Sequence, residues 1–390
     1  MKSTNLKKYT SVIHVVESIS DDYGGPARSI PMMCFGMENC GLKNFVFSVN
    51  RDDEKNILLD NSNVGWCKSK PGIINKYYFS LDFYFNLKCK IVELINKGEV
   101  FYIHVHSVWS FPTLFVFLLC NRYGIEYILT PRSSLQLASI SKKRFFKSLL
   151  RFLFVDKFVC KATHIHLTSK QEESEFSINF DNNNIINVEN GLDFTEFEFL
   201  PERLAAKKQF DLPSDSKVLL FLSRINERKG LDLLFDAFCS LKVKGNDNLY
   251  LLIAGPDDNS EILKNIYARS VDLGVSKYIK YVGMLVGDAR LKAYSAADVF
   301  ILPTKFENFG MSIAEALASG VPVITTKDTP WSILESNNFG KICTRDAPDI
   351  ERCITDVLHN TYNKNEMFDY VKSNFDYNVQ SKRILSLISK

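Results

Sequence analysis

Much that would mark a common function is missing from this chain. No two cysteines are spaced C-x-x-C, and the nine present, at 34, 40, 67, 89, 120, 160, 239, 343 and 353, have no histidine at zinc spacing. That pattern argues against a disulfide framework and a structural metal, and fits a reducing cytosol. No sign of charge dominates: 48 basic and 45 acidic residues leave a formal net charge of +3, too balanced for a nucleic-acid binder. No apolar run approaches the roughly 20 residues of a spanning helix; the longest, residues 111–120, contains Pro112 and Thr113. The lysines of residues 1–10 lead into Ser11-Val12-Ile13-His14-Val15-Val16-Glu17, a short run that ends in a charge with no small-residue cleavage site, and it reads as a first core strand rather than a signal peptide. No G-x-G-x-x-G follows that strand, which argues against a dinucleotide-dependent dehydrogenase.

What is present is a repeated alternation. The 390 residues, 46% hydrophobic and 24% charged, exceed what one core serves and predict two domains. Short apolar runs at 12–16, 43–49, 101–105, 127–130, 164–167 and 185–188, and again at 218–222, 250–254, 279–282, 299–302 and 322–325, predict strands. Amphipathic stretches separate most of them, as in residues 230–241 and 312–319. The pattern is that of α/β proteins with parallel sheets covered on both faces. We read an N-terminal Rossmann-like domain over 1–195, a C-terminal one over 196–372, and a helix in 373–390 that returns to the first domain. Residues 191–216, with Pro201, Pro213 and a charged run, read as the interdomain connection. Ligands of such sheets sit beyond the carboxyl ends of the strands, so two of them facing one another would hold a substrate in the crevice between.

Several loops carry chemistry at those positions. Asp21-Asp22-Tyr23-Gly24-Gly25-Pro26 follows the first strand and precedes a helical pattern; its glycines would let backbone amides approach an anion, although a plain strand-to-helix turn has the same letters. Arg224 and Lys229, in Ser223-Arg224-Ile225-Asn226-Glu227-Arg228-Lys229-Gly230, would stand at the mouth of the second sheet, where a guanidinium fork and an ammonium can neutralise a diphosphate. A solvated basic loop is the bland alternative. The sharpest pattern is Phe306-Glu307-Asn308-Phe309-Gly310-Met311-Ser312-Ile313-Ala314-Glu315. Two glutamates bracket a glycine turn and a helix start, so both could face one ligand, with the amides of Phe309, Gly310 and Met311 beside them.

The E-x7-E of Glu307 and Glu315, the R-x4-K of Arg224 and Lys229, the Gly24-Gly25 pair and Asn190-Gly191-Leu192-Asp193, in this order and spanning nearly the whole chain, resemble family 4 of the GT-B-fold glycosyltransferases. The resemblance implies two Rossmann-like doubly wound domains facing a central cleft and retaining transfer of a hexose or N-acetylhexosamine from a UDP- or GDP-sugar. The acceptor would be a saccharide, lipid-linked, in bacterial O-antigen, capsule or lipopolysaccharide synthesis. It implies no cofactor and no metal, in agreement with the absence of a D-x-D motif. Arg224, Lys229 and Glu307 would be the catalytic set, the two cations stabilising the leaving diphosphate and Glu307 holding hydroxyls of the transferred sugar. Gly25, Gly283, Met284, Asn308, Phe309, Gly310, Met311 and Glu315 would bind the donor, Glu315 at the ribose and Gly283-Met284 at the nucleobase edge. On the acceptor or cleft side the resemblance favours His106. Arg132 stands where relatives often carry a histidine, which puts a histidine contact to the donor sugar in doubt and suits an anionic acceptor or the donor phosphate. Trp331 occupies a Pro-Trp segment where relatives have Gly-Gly, and either stacks on a sugar or packs.

His104 and His106, at i and i+2, share a strand face, but a metal site needs further ligands and none is evident in the sequence. Ser169 and Glu172 read as a helix capping box with no chemistry. Residues 142–157 place Lys143, Lys147 and Arg151 on one helical side and Phe145, Phe146, Leu149, Leu150 and Leu153 on another, which suits contact with the anionic inner membrane or a core-packed helix equally in its letters. Two rival functions remain at this level: a nucleotide-sugar 2-epimerase of the same fold, which needs no acceptor, and a non-catalytic nucleotide-sugar-binding protein.

Overall fold

The computed structural model describes residues 9–51, 53–72, 76–136, 148, 150–180, 182, 184–257 and 261–389. Two parallel sheets organise them. The first comprises β1 Ser11–Val15, β2 Lys43–Val49, β3 Gly65–Ser69, β4 Phe101–Val105, β5 Tyr127–Leu129, β6 His164–Leu167 and β7 Ile185–Asn187, in the order β3-β2-β1-β4-β5-β6-β7. The second comprises β8 Lys217–Leu222, β9 Leu249–Ala254, β10 Ile279–Tyr281, β11 Val299–Leu302, β12 Val323–Thr326 and β13 Gly340–Cys343, in the order β10-β9-β8-β11-β12-β13. Both orders reverse once, between β1 and β4 and between β8 and β11. These are the switch points at which doubly wound sheets bind ligands.

Every strand read from the apolar runs is present. The two that were not expected, β3 and β13, are edge strands: Gly-Trp-Cys-Lys-Ser and Gly-Lys-Ile-Cys each carry a lysine and are only partly buried, with a neighbouring strand on one side alone. Central strands such as β1 and β11 are buried at every position, which explains their continuous apolar letters.

The chain divides into a unit of residues 1–191 with 377–390 and a unit of residues 192–376. Its divisions thus fall at 191/192 and 376/377 rather than at 195/196 and 372/373. Helix Tyr377–Ile388 joins the first unit by packing on helix Gly25–Glu38. Glycine is required there, since a Cβ at Gly36 would collide with Ser381 and approach the Tyr377 carbonyl oxygen to 2.6 Å.

Residues 192–216 are not the linker expected of them. Phe194, Phe197, Ala206, Phe210 and Leu212 are buried in the core of the second unit, beneath the short helices Thr195–Glu198 and Arg203–Gln209. Of the charges that suggested a linker, Glu202, Lys208, Asp211 and Asp215 are exposed, while Lys207 is buried and donates to the Ser214 and Ser216 carbonyls at 2.8 and 2.7 Å.

Candidate functional site

In the second unit the switch point is built by the loops after β8 and β11. Asn226 caps a short turn, its Oδ1 accepting from the Arg228 amide at 3.1 Å. Gly230 then takes φ +74°, and a Cβ there would strike the Pro303 carbonyl, so the two loops can close together only because position 230 is glycine. The Lys305 amide donates to the Arg228 carbonyl at 2.8 Å, and Thr304 Oγ1 donates to the same carbonyl at 3.3 Å. From the far side Arg345 Nε donates to the Pro303 carbonyl at 3.0 Å. No sequence signal pointed to Arg345, because a lone arginine after an edge strand has no pattern.

This zipped pair of loops brings Lys229 Nζ onto Glu307 Oε1 as an ion pair. The sequence reading gave the two residues separate tasks; the structure joins them. Lys229 is 7% exposed. Burial pulls its ammonium below the usual lysine value, Glu307 opposes that, and Arg228 and Arg224 push the same way as burial. Arg224 therefore shares the electrostatic neighbourhood of Lys229. A buried lysine paired with one carboxylate, with Arg224 within its electrostatic reach, at the carboxyl ends of β8 and β11, suits an incoming polyanion: the carboxylate balances the lysine until the anion arrives.

Helix Met311–Ala318 starts from Gly310, at φ +81°. Trp331 fixes that turn, donating from Nε1 to the Phe309 carbonyl at 2.5 Å. It is 1% exposed and packs between Phe309 and Phe375, with ring centroids at 5.6 and 5.4 Å. Trp331 is thus a core brace and not a sugar-stacking wall, and Phe309 can offer a ligand only its backbone. Asn308 and Met311 are half-buried.

Glu315 differs from expectation in a similar way. It is not an open carboxylate but a buried one, 2.7 Å from Arg290 Nη1, with the Tyr294 hydroxyl donating to it at 3.0 Å. Arg290 also pairs with Glu196. Burial works against the arginine charge, and the two glutamates outweigh it, holding the guanidinium above its usual value. Arg290 sits on helix Gly287–Ala296, and no spacing linked it to Glu315. Gly283, at φ +69°, accepts the Gly255 amide on its carbonyl at 2.8 Å, while Met284 is partly exposed.

In the first unit the special backbone belongs to Gly24, at φ +93°, and Gly25 is the first residue of helix Gly25–Glu38. A Cβ on Gly25 would meet nothing within 4 Å, so space over this helix start is open. The helix begins four residues before Ser29, where its helical pattern starts in the sequence, with Pro26 in the first turn, where a missing N–H is harmless.

Behind that turn lies an array the sequence did not reveal: His14, His104, His106 and His166 are all buried. His104 and His14 are register partners on β4 and β1, and nitrogens of His14, His104 and His106 lie within 4.8 Å of one another. His14 thus supplies the third nitrogen that the sequence reading lacked.

Hydrogen-bond bookkeeping assigns each neutral tautomer. The Val188 carbonyl can only accept, so His166 Nε2 donates to it at 2.8 Å and His166 Nδ1 accepts from Thr130 Oγ1 at 3.1 Å. Thr130 Oγ1 must then accept from His104 Nε2 at 2.7 Å, which leaves His104 Nδ1 with a bare lone pair and no partner. Asn44 donates from Nδ2 to the carbonyls of Cys34 and Leu42, so its Oδ1 accepts from His14 Nε2 at 3.1 Å. His14 Nδ1 accepts from His106 Nε2 at 3.0 Å, and His106 Nδ1 accepts from Arg132 Nη2 at 3.4 Å. A metal shared by the three would need His106 to move its proton to Nδ1, against the guanidinium.

The array has a pH consequence. Burial holds His14 and His166 at about 4 and His104 and His106 well below the usual histidine value, against roughly 6.5 in the unfolded chain. A depressed folded value makes the contribution complete above pH ~6.5 and erodes it as pH falls toward 4, by up to about 1.4 kcal/mol per pH unit for each histidine. Urea unfolding at pH 7 and pH 5 measures this, and His166→Gln should flatten the slope by one proton's share. A slope unaltered by that substitution would deny the histidine origin.

Of the stretch read as membrane-facing, residues 142–147 and Leu149 lie outside the described residues. Where it is described, Phe152 is 81% and Leu153 56% exposed. Arg151 instead pairs with Asp156 at 2.9 Å and lies over the Phe180 ring. No helix among the described residues is long and apolar enough to cross a membrane.

These two sheets and their switch-point loops define the GT-B fold. It is shared over the whole chain with the Anabaena protein HepE in complex with UDP and glucose: TM-score 0.77, 15% identity, 98% of this chain and 100% of that one. Residues 202–373 match the family model described as glycosyl transferases group 1, and the second unit belongs to that family. The chain is 30% identical over 142 residues to an uncharacterized glycosyltransferase of Methanocaldococcus jannaschii, covering 36% of this chain and 35% of that protein. It is 27% identical over 154 residues to the lipopolysaccharide core biosynthesis glycosyltransferase LpsE of Rhizobium meliloti, covering 39% and 42%. The chain therefore spans well under half the length of these two relatives.

Proposed function

We propose that this chain is a retaining, metal-independent glycosyltransferase that moves a hexose or N-acetylhexosamine from a UDP- or GDP-sugar to a saccharide acceptor. The acceptor is lipid-linked, in the building of a bacterial surface polysaccharide such as O-antigen, capsule or lipopolysaccharide. The observation that carries the reading is the ion pair of Lys229 with Glu307 at the β8/β11 switch point, within the field of Arg224 and on the loop that leads to helix Met311–Ala318. The solved HepE complex with UDP and glucose and the lipopolysaccharide role in the name of LpsE lend it support.

In the reaction the bond from the anomeric carbon to the diphosphate breaks, and the acceptor oxygen bonds the same face. The acceptor proton passes to the departing phosphate oxygen. Lys229 and Arg224 stabilise the charge that grows on that group, which preorganised cations do best when they are already desolvated. Glu307, its charge balanced by Lys229, is better suited to holding sugar hydroxyls than to attacking carbon, so we place the double-displacement route second. Glu315 takes the donor ribose as a carboxylate whose direction is set by Arg290 and Tyr294. Gly283 and Met284 take the nucleobase edge, and Asn308, Gly310 and Met311 the sugar and its phosphate. The exposed Phe152 and Leu153 suit a protein that works at the cytoplasmic face of an anionic membrane.

The test is a panel of UDP- and GDP-sugars scored by thermal stabilisation, in which a ligand at about 100 times its Kd adds roughly 2.7 kcal/mol. Transfer to lipid-linked saccharide in anionic vesicles follows, with and without chelator. One nucleotide sugar should stabilise, the product should keep the donor's anomeric configuration, and chelator should leave the rate unchanged. Stabilisation by none of the panel would end the reading; an absolute need for a divalent cation would overturn its metal-free part. Release of an isomerised free sugar without acceptor would reveal an epimerase.

A further inference from the structure

Among the described residues Arg132 makes no salt bridge, and Glu172 and Tyr23 act on it only through space. It follows β5 in a turn where Arg132 and Ser133 both take positive φ, +49° and +66°, a conformation that costs such residues about 1 kcal/mol or more each and persists only when its surroundings enforce it. Glu172 enforces it: one carboxylate oxygen accepts from the Ser133 amide at 2.6 Å, the other from the Thr168 amide at 3.0 Å. The capping-box glutamate therefore also ties down the loop that carries Arg132.

The turn delivers the guanidinium to two neutral acceptors. Nη1 donates to Ser29 Oγ at 2.8 Å, and Nη2 donates to His106 Nδ1. The lone pair on that nitrogen is dictated by the relay His106 to His14 to Asn44, which ends on backbone carbonyls. Nε is buried and has no partner. Among the described residues no carboxylate lies within ion-pair distance of Arg132, and Glu172 acts on it only through space. Burial lowers the guanidinium to about 10, so it remains a cation at neutral pH. Ser29 belongs to helix Gly25–Glu38, whose start is exposed and open above Gly25. A half-buried guanidinium whose described hydrogen-bond partners, Ser29 and His106, are both neutral, beside a helix start, is the recognition chemistry of an oxyanion.

We propose that Arg132 binds a phosphate or carboxylate group carried by the acceptor saccharide, with Ser29 beside it and with His106, His14 and Asn44 as positioning residues. That the anion belongs to the acceptor rests on the functional reading above; that an oxyanion binds at Arg132 does not.

The experiment titrates the full chain and its Arg132→Gln and Arg132→Lys variants with inorganic phosphate, glucose 6-phosphate, glucuronate and uncharged glucose at matched ionic strength. UDP or GDP is present in excess to occupy the loop at Lys229. At least one charged probe should bind the native chain tenfold or more tighter than glucose. Arg132→Gln should erase that difference, and Arg132→Lys should keep part of it. Glucose 6-phosphate against glucuronate tells phosphate from carboxylate. UDP or GDP affinity, unchanged in Arg132→Gln, shows that the variant is folded, and if Arg132→Gln does not fold, Arg132→Lys carries the comparison. Equal responses of native and variant chains to every charged probe, or no response of the native chain to any, would overturn the proposal. Failure of both nucleotides to bind, with an Arg132-dependent response intact, would strike the functional reading alone.

Discussion

Lys229→Met is expected to lower kcat by about 10²–10³, the loss seen when one preorganised stabiliser of a developing anion is removed. The side chain that would be removed is 9% exposed and its partner Glu307 14%, so part of the effect could be mistaken for unfolding. Leaving a buried carboxylate unpaired costs about 3–5 kcal/mol at full burial, and the residual exposure of Glu307 should keep the loss below that. The double variant Lys229→Met/Glu307→Gln separates the two effects, since it removes the stranded charge and should recover stability without recovering rate. Glu307→Gln alone makes a sharper test of charge. Glu307 raises the Lys229 value, so without it the ammonium loses its proton at lower pH, and the alkaline limb of the pH–rate profile should move down. Full activity in Lys229→Met, or an alkaline limb unmoved in Glu307→Gln, would contradict the assignment.

Arg290→Met is expected to be the most destabilising single change in the second unit, by about 3–5 kcal/mol in denaturant unfolding. Arg290 and Glu315 are 4% and 3% exposed, and Glu196 is the third member; removing the arginine takes the guanidinium from two carboxylates at once. Glu315→Gln should cost much less, because its amide oxygen can still accept from Tyr294 and Arg290. An Arg290→Met/Glu315→Leu pair should regain part of the loss, as buried ion pairs often yield to apolar packing. If Arg290→Met unfolds at the native urea midpoint, the network is not what holds helix Met311–Ala318 in place.

The difference between these two glutamates shows how far letters reach. Their spacing and the glycine turn between them were visible, and the structure places one on the loop after β11 and the other on the helix that follows it. Their partners were not visible. Lys229 and Arg290 come from other elements, at sequence separations of 78 and 25 residues, and only the sheet order brings them in. Trp331 makes the same point in reverse: an aromatic in a Pro-Trp loop has the same letters whether it faces a ligand or the core, and the Phe309 carbonyl decided for the core. His14 and His166 lay within strand runs as polar letters, indistinguishable from ordinary interruptions until β1, β4, β5 and β6 were set in order across the sheet.

What the amino-acid order determined unaided is everything governed by local periodicity and backbone permission. It set the succession of buried strands and covering helices and the glycines that allow the turns at 24, 230 and 310. The cations and acids were likewise placed just past strand ends, because these depend on neighbours in the chain. What only the tertiary structure decided is everything governed by who meets whom across the sheet. It paired Lys229 with Glu307 and clamped Glu315, folded residues 192–216 into a core, locked four histidines into neutral tautomers, and set Arg132 against two neutral acceptors, Ser29 and His106. The physical reason is that desolvation and pairing are properties of an environment, and for these residues that environment comes from segments tens of positions away.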